Sequence, residues 1–353
     1  MALTFLLDEV CLKHESGPSG YPHPENSERI KRIINAFNSK DFSLSFSNHD
    51  ITTSKLIENI FSKVHDQNYI NKVVESKNSK QTYFDQDTIA SKDTYNAAYK
   101  AASLAISAGL SASKSESYFS VMRPPGHHAT FNRAMGFCYF NNIALATQAL
   151  INKNNKVVIV DFDFHYGNGT ADIFWTNPNA LYISIHADPT VNYPNQGFID
   201  EIGDQDGKGY NVCIPLTYGS TNKEILFSFY EIIFPLMDEF KPNIIAISAG
   251  FDAFKNDPIG GGYLQYDANG YNNIGQKLFL YSREKKIPIF HILEGGYNLT
   301  HLPNLVYQYS APWIKNGSFD EKKSSFKTED NIKSKERKTI KYIKQILNPY
   351  WNI

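Results

Sequence analysis

Two adjacent imidazoles, His127 and His128, follow Arg123-Pro124-Pro125-Gly126, and a second run reads Asp161-Phe162-Asp163-Phe164-His165-Tyr166-Gly167-Asn168. The first segment offers two nitrogen bases behind a proline-stiffened turn. The second offers a carboxylate and an imidazole two residues apart, which on an extended strand share one face. A third acid, Asp252, follows Gly250-Phe251. A catalytic zinc ion takes three protein ligands and keeps one position open for water. Asp163, His165 and Asp252 meet that count and are the expected ligands. Such an ion polarises a carbonyl and makes water nucleophilic near neutral pH.

Hydrolysis also needs proton transfer and a place for the oxyanion. An imidazole can take a proton from water and return one to a leaving amine. Its tautomer and charge are set by whatever holds its far nitrogen. Asp161 and Asn168 are the available partners. Pairing His127 with Asp161 would make it the cationic member. Pairing His128 with Asn168 would leave it neutral and the better general base. Tyr297 follows Gly295-Gly296, so its backbone can bend toward a pocket and its hydroxyl can donate to a developing oxyanion. Gly136-Phe137 and Tyr193-Pro194 place two rings in loops, where they would wall a slot for an unbranched methylene chain.

These residues must be positioned by strands. Short apolar runs at 118–122, 156–162, 180–185, 243–248 and 287–292 read as buried strands, and the first residues of the chain as another. Helical patterns lie between them: one after Ser91, others over 141–151, 222–240 and 266–283. Strand–helix alternation predicts an α/β protein with a mostly parallel sheet covered by helices on both faces. Each strand runs into a chemically loaded segment: 123–128, 161–168, 186–188, 250–252 and 294–297. Ligands of open α/β sheets bind beyond the carboxyl ends of the strands, so these segments are expected to share one pocket there. The proline-rich stretch 14–29 reads as an irregular loop or lip.

The bulk properties fit a globular hydrolase. The chain has 353 residues, 42% of them hydrophobic, and a formal net charge of −1. No polybasic segment suggests a nucleic-acid site, and no apolar run reaches membrane-spanning length. Three cysteines without a paired spacing read as reduced thiols in a cytosol-like compartment, with a nucleus or delivery into another cell left open. The expected division is a catalytic domain over residues 1–318 and a polar extension over 319–353 that ends in a helix.

The motifs together resemble the zinc-dependent histone deacetylase superfamily. The resemblance rests on Arg123 to His128, Gly136 to Asn141, Asp161 to Thr170, Gly250 to Ala253 and Glu294 to Tyr297. His23-Pro24-Glu25 with Arg29, and Val64-His65-Asp66 with Tyr69, add to it. It implies an arginase/deacetylase-like fold and removal of an acetyl group from an amine. It also implies zinc on Asp163, His165 and Asp252, acid–base and electrostatic roles for His127 and His128, and Tyr297 on the substrate carbonyl. By the same resemblance, Phe137 and Tyr193 line an acyl-lysine tunnel. A structural potassium ion is implied on the main-chain oxygens of Asp161, Asp163, His165 and Ile185 and the Ser184 hydroxyl.

Asn168 and Glu294 stand where class I members carry aspartate and glycine, which points to the class II-like and bacterial branch. Ile259 stands where acetylpolyamine-specific members would place an acidic gatekeeper. That favours acetyl-lysine in a protein or peptide, histones included, over small acetylated amines, which remain the alternative. Asp87, or its neighbour Asp85, is the candidate for holding the substrate backbone at the rim. A binuclear ureohydrolase would need another acid after Asp252, where Ala253 and Phe254 stand. A non-catalytic acyl-lysine reader would have no use for the full set of ligands, histidines and Tyr297. Oligomeric state is not legible.

Overall fold

A computed structural model describes residues 1–18, 21–39, 46–314 and 332–353. The strands are β1 (Ala2–Leu6), β2 (Phe46–Ser47), β3 (Gln81–Tyr83), β4 (Ile89–Ser91), β5 (Glu116–Ser120), β6 (Val157–Asp161), β7 (Ala180–Ala187), β8 (Asn211–Leu216), β9 (Ile244–Ala249) and β10 (Ile289–Leu293). The helices are α1 (Glu28–Phe37), α2 (Ser54–Val64), α3 (Gln67–Glu75), α4 (Thr94–Ser111), α5 (Asn142–Ile151), α6 (Asn168–Phe174), α7 (Asn222–Ser228), α8 (Phe234–Phe240), α9 (Ala268–Lys285), α10 (Leu302–Ile314) and α11 (Ser334–Leu347). A short π-helical turn, Phe229–Ile233, joins α7 to α8.

Eight strands form one sheet in the order β2-β1-β5-β10-β9-β6-β7-β8, and its neighbours pair in parallel. Strands β6, β7, β9 and β10 are buried along their whole length, as expected of a sheet covered on both faces. Adjacent residues of β10 identify the two covers. Phe290 faces Gly109 of α4, beside Ala146 and Leu150 of α5. His291 points the other way and packs on Tyr309 and Trp313 of α10. Helix α9 pairs with α10.

The six predicted strands, the four helical segments and the final helix are present, with ends shifted by a few residues and the 222–240 segment divided by the π-helical turn. Several elements had no sequence counterpart, among them β2, β8, the β3–β4 hairpin, α6 and α10. Strand β8 lacks a distinctive apolar run, and β3 pairs with β4 in a separate antiparallel hairpin. The 14–29 loop is pinned by charge. Glu25 is buried and receives two hydrogen bonds from Arg123, at 2.7 and 2.6 Å, and one from Arg29 at 3.3 Å. Removing one partner from such a buried cluster strands the others, at a cost of roughly 3–5 kcal/mol.

The expected boundary at residue 318 lies outside the described residues. Helix α11 packs on β8 and the segment after it. The Glu336 carboxylate caps that segment, accepting from Thr217 N–H at 3.1 Å and the Ser220 hydroxyl at 2.7 Å. No helix among the described residues is long and apolar enough to cross a membrane. Cys11, Cys138 and Cys213 are buried and unbridged.

Candidate active site

The strand order decides where the loaded segments meet. Strands β5, β10, β9 and β6 are consecutive in the sheet. Their carboxyl ends therefore bring the His127–His128 loop, the Tyr297 turn, Asp252 and the Asp163–His165 segment side by side.

Asp163 and His165 lie beyond β6, which ends at Asp161, and so do not share a strand face as the spacing alone suggested. The ladder stops because side chains take over the backbone donors. Asp161 Oδ1 accepts from Asp163 N–H at 3.0 Å, and Asp252 Oδ1 from Phe164 N–H at 2.9 Å. The resulting bend still aims both side chains inward. His165 Nδ1 is 3.2 Å from Asp163 Oδ1 and 3.0 Å from Asp252 Oδ2. The candidate ligand atoms of Asp163, His165 and Asp252 all lie within 4.8 Å of one another. Asp252 Oδ2 is buried and makes no hydrogen bond. A buried carboxylate oxygen without a donor is costly, and a cation would relieve it. The set fits a small, tightly held divalent ion.

Charge follows the same crowding. Burial, then the neighbouring Asp163 carboxylate, pushes the Asp252 carboxyl up to about 7. Burial opposes charging of His165, but hydrogen bonding to Asp163 and the close Asp252 carboxylate outweigh it and raise the imidazole to about 9. Two acids and a ring this close behave as one titrating unit.

The tandem histidines take different partners. His127 Nδ1–H donates to Asp161 Oδ2 at 3.0 Å. Burial resists its protonation, yet the Asp163 and Asp161 carboxylates raise it to about 10. His128 Nδ1–H donates to Asn168 Oδ1 at 2.8 Å. Burial, followed by the cationic His127 and His165, holds His128 well below the usual imidazole range. The pairing matches the expectation: one charged ring and one neutral ring, set by a carboxylate and an amide.

The walls are built by a tight hairpin turn. Met135 and Cys138 exchange backbone hydrogen bonds around Gly136 (φ 55°) and Phe137 (φ 69°). Positive φ at both central positions is the geometry of a type I′ turn. A β-carbon on Gly136 would stand 2.5 Å from the His128 ring, so only glycine fits. An aromatic residue at φ 69° is rare, and Phe137 N–H is held by Thr88 Oγ1 at 3.1 Å. The turn delivers Phe137 edge-on to Tyr297, with ring centroids 5.9 Å apart. Tyr193 lies edge-on to His128 at 5.0 Å.

Phe137, Tyr193, Gly136, Ile259, Tyr297, His128, His165, Asp85 and Asp87 line one cavity of about 230 Å³. The two rim aspartates differ. Asp85 Oδ1 accepts from the N–H groups of Asp87 and Thr88 and so shapes its own loop. Among the described residues no hydrogen bond engages the Asp87 carboxylate, which leaves it open to a ligand. Burial keeps the Tyr297 phenol far above its usual pKa, and the Arg29 guanidinium lies 4.8 Å from the ring centroid. Tyr297 is therefore a protonated donor at neutral pH. Ser184 pairs with Asp161 across β6 and β7, and Ile185 follows it.

Several supporting residues carried no assigned role in the sequence. Glu294 is buried: Oε2 accepts from Gly126 and His127 N–H at 2.8 and 3.2 Å, and Oε1 from the Ser248 hydroxyl at 3.1 Å. Asn141 caps α5 through Ala144 N–H and donates to Ala129 O at 3.0 Å, steadying the histidine loop. His65 accepts from Asn141 N–H at 2.9 Å. The signal available was motif membership of Glu294, Asn141 and His65. Their partners are too far along the chain to be read from spacing.

This fold and this site define a hydrolase of the arginase/deacetylase-like α/β class. The chain belongs to the histone deacetylase family: the model of the histone deacetylase domain matches residues 23–311. It is 34% identical over 346 residues to a protein of Methanocaldococcus jannaschii, covering 95% of this chain and 94% of that one. It is 36% identical over 278 residues to a probable deacetylase of Methanothermobacter thermautotrophicus, covering 78% and 81% of the two chains. Histone deacetylase 15 of Arabidopsis thaliana is 36% identical over 304 residues, 83% of this chain and 53% of that protein, so the likeness spans about half of the plant enzyme. The crystal structure of the HDA15 HD domain superposes with a TM-score of 0.84 at 30% identity, covering 99% of this chain and 96% of the other. The chain is thus a deacetylase-family hydrolase.

Proposed function

We propose that the protein is a zinc-dependent lysine deacetylase that hydrolyses N-acetyl-lysine side chains of proteins or peptides, histones among them, to lysine and acetate. The observation that carries this reading is the buried Asp163–His165–Asp252 cluster, with its unbonded Asp252 oxygen, at the base of a narrow aromatic-walled cavity. A zinc ion on those three side chains would supply Lewis acidity toward the amide carbonyl and acidify water.

The chain's own residues do the rest. The acetyl-lysine methylenes lie between Phe137 and Tyr193 above Gly136, against Ile259. His128 is the base. Its Nδ1–H is committed to Asn168, so Nε2 is bare and takes a proton from the attacking water. It then passes a proton to the lysine nitrogen as the amide C–N bond breaks. His127, held charged by Asp161, supplies positive potential as the oxyanion develops. Tyr297 donates its phenolic proton to that oxygen. Asp87 holds the substrate backbone N–H groups at the rim.

A potassium ion on Asp161, Asp163, His165, Ser184 and Ile185 would brace the metal segment. His186 supports this assignment. Its Nε2–H donates to Gly197 O at 2.9 Å, so Nδ1 must accept the Ser184 proton, also at 2.9 Å. The Ser184 hydroxyl then keeps its lone pairs for a cation.

The test is a side-by-side assay of the zinc-loaded protein on acetyl-lysine peptides and on N-acetylated diamines. Higher kcat/KM on peptides is expected, since apolar Ile259 lines the cavity where an acid would be needed to hold a second ammonium group. Preference for the diamines would replace this reading with the small-amine alternative.

A further inference from the structure

Tyr297 sits on a turn with little intrinsic stiffness. Gly295 and Gly296 precede it, and Gly296 has φ 116°, a conformation open essentially to glycine alone. Something else must hold Tyr297 in place. The carbonyls of the turn are taken by Arg29, whose Nε donates to Gly296 O at 2.7 Å and Nη2 to Glu294 O at 2.5 Å. Gly295 N–H donates to Asp163 at 2.8 Å. The N–H groups of Tyr297 and of Asn298 both donate to a single oxygen, Asp257 Oδ2, at 2.6 and 3.0 Å.

The other oxygen of that carboxylate faces the cavity wall. Asp257 Oδ1 accepts from Ile259 N–H at 2.9 Å and from Gly260 N–H at 3.3 Å. Asp257 is buried, at 3% exposure. An ionised carboxylate offers about four acceptor positions, and here four backbone N–H groups from two segments fill them. Hydrogen bonds to a charged acceptor are roughly twice as strong as neutral ones. Asp257 does not line the cavity and is not among the metal-ligand group.

We propose that Asp257 is the positioning residue for Tyr297, a carboxylate clamp that locks the turn bearing the oxyanion donor to the segment bearing Ile259. The donor and the channel wall are thereby set as one unit. A substrate that presses on Ile259 is registered at Tyr297 through a single side chain. The inference rests on the proposed role of Tyr297 in hydrolysis and deepens it.

The test is a double-mutant cycle on the zinc-loaded full chain with an acetyl-lysine peptide. Asp257→Ala should lower kcat by about 10- to 100-fold, with KM within about threefold, when Tyr297 is present. In the Tyr297→Phe background the same substitution should change kcat by less than about threefold, because the group it positions is gone. Zinc content and cooperative unfolding should be unchanged in both. Equal losses in the two backgrounds would mean that Asp257 acts on the structure at large, and would overturn the inference. So would a near-wild-type Asp257→Ala, or a loss that tracks missing zinc. If Asp257→Ala does not fold, Asp257→Asn, which keeps one acceptor oxygen, carries the same cycle with a smaller first loss. Absence of turnover by the wild-type holoenzyme would bring down the proposed function itself. Turnover with additive losses brings down this inference alone.

Discussion

His128 donates its Nδ1–H to Asn168 Oδ1 over 2.8 Å, and this leaves the other ring nitrogen without a proton. An amide can hold an imidazole in this tautomer without stabilising its charged form. The neighbouring His127, paired with the Asp161 carboxylate at 3.0 Å, is the opposite case. Two rings with centroids 4.1 Å apart are thus kept in different charge states by the chemistry behind them.

Replacing that amide tests the division. Asn168→Asp puts a carboxylate on His128 and should raise its pKa by on the order of one unit or more. The base must be unprotonated to work, so the acid limb of kcat/KM should move to higher pH by a similar amount. Measuring the profile from pH 5 to 9 decides it. An acid limb that stays where it was would take His128 out of the base role.

Tyr297→Phe removes only a hydroxyl. We expect kcat to fall by on the order of 10²–10³, the usual cost of one oxyanion donor, with little change in melting temperature. Steady-state kinetics on an acetyl-lysine peptide would show it. A rate near wild type would exclude the phenol from transition-state stabilisation.

The metal assignment predicts stoichiometry. Wild-type protein should bind one zinc per chain at this site, and Asp163→Ala and Asp252→Ala should each lose it. Elemental analysis after dialysis gives the number. A chelator should abolish activity and added zinc should restore it, since the ligands must be deprotonated and correctly placed to hold the ion. Full zinc occupancy in Asp163→Ala would refute that ligand.

Stability should fall in mild acid. His65 donates Nδ1–H to Thr130 O and accepts Asn141 N–H on Nε2, both at 2.9 Å, so its neutral form is satisfied. Burial lowers its pKa to about 4. Burial likewise lowers His14 and His186 to about 4 and His291 to about 3. In the unfolded chain these rings take a proton near pH 6.5. Between that pH and about 4, or about 3 for His291, these rings bind more protons in the unfolded state, so their contribution declines as pH falls through this window and levels off below it. Above pH 6.5 the contribution is complete. Each ring is worth at most roughly 3–5 kcal/mol over its full span. Urea midpoints should fall from pH 6.0 to 5.0, where His127 and His165, raised in the fold, are already largely charged in both states. A constant midpoint would contradict the buried neutral assignments.

The sequence by itself determined the class of fold and named the candidate residues of the site. Apolar runs of strand length alternating with helical periods admit little besides a covered parallel sheet. Asp163, His165, Asp252, His127, His128 and Tyr297 were legible because each follows such a run closely, and polar groups just past a buried strand have few places to go. What only the tertiary structure decided is pairing. The order β5-β10-β9-β6 sets four chain-distant ends side by side. The chain bends after Asp161 because Asp252, far along the sequence, takes the Phe164 N–H. Asp257 and Tyr297 are joined across 40 residues, and Arg123 and Glu25 across 98. Periodicity reports only which face of its own element a residue occupies. A hydrogen bond between distant segments depends on how elements stack, and it leaves no trace in local spacing.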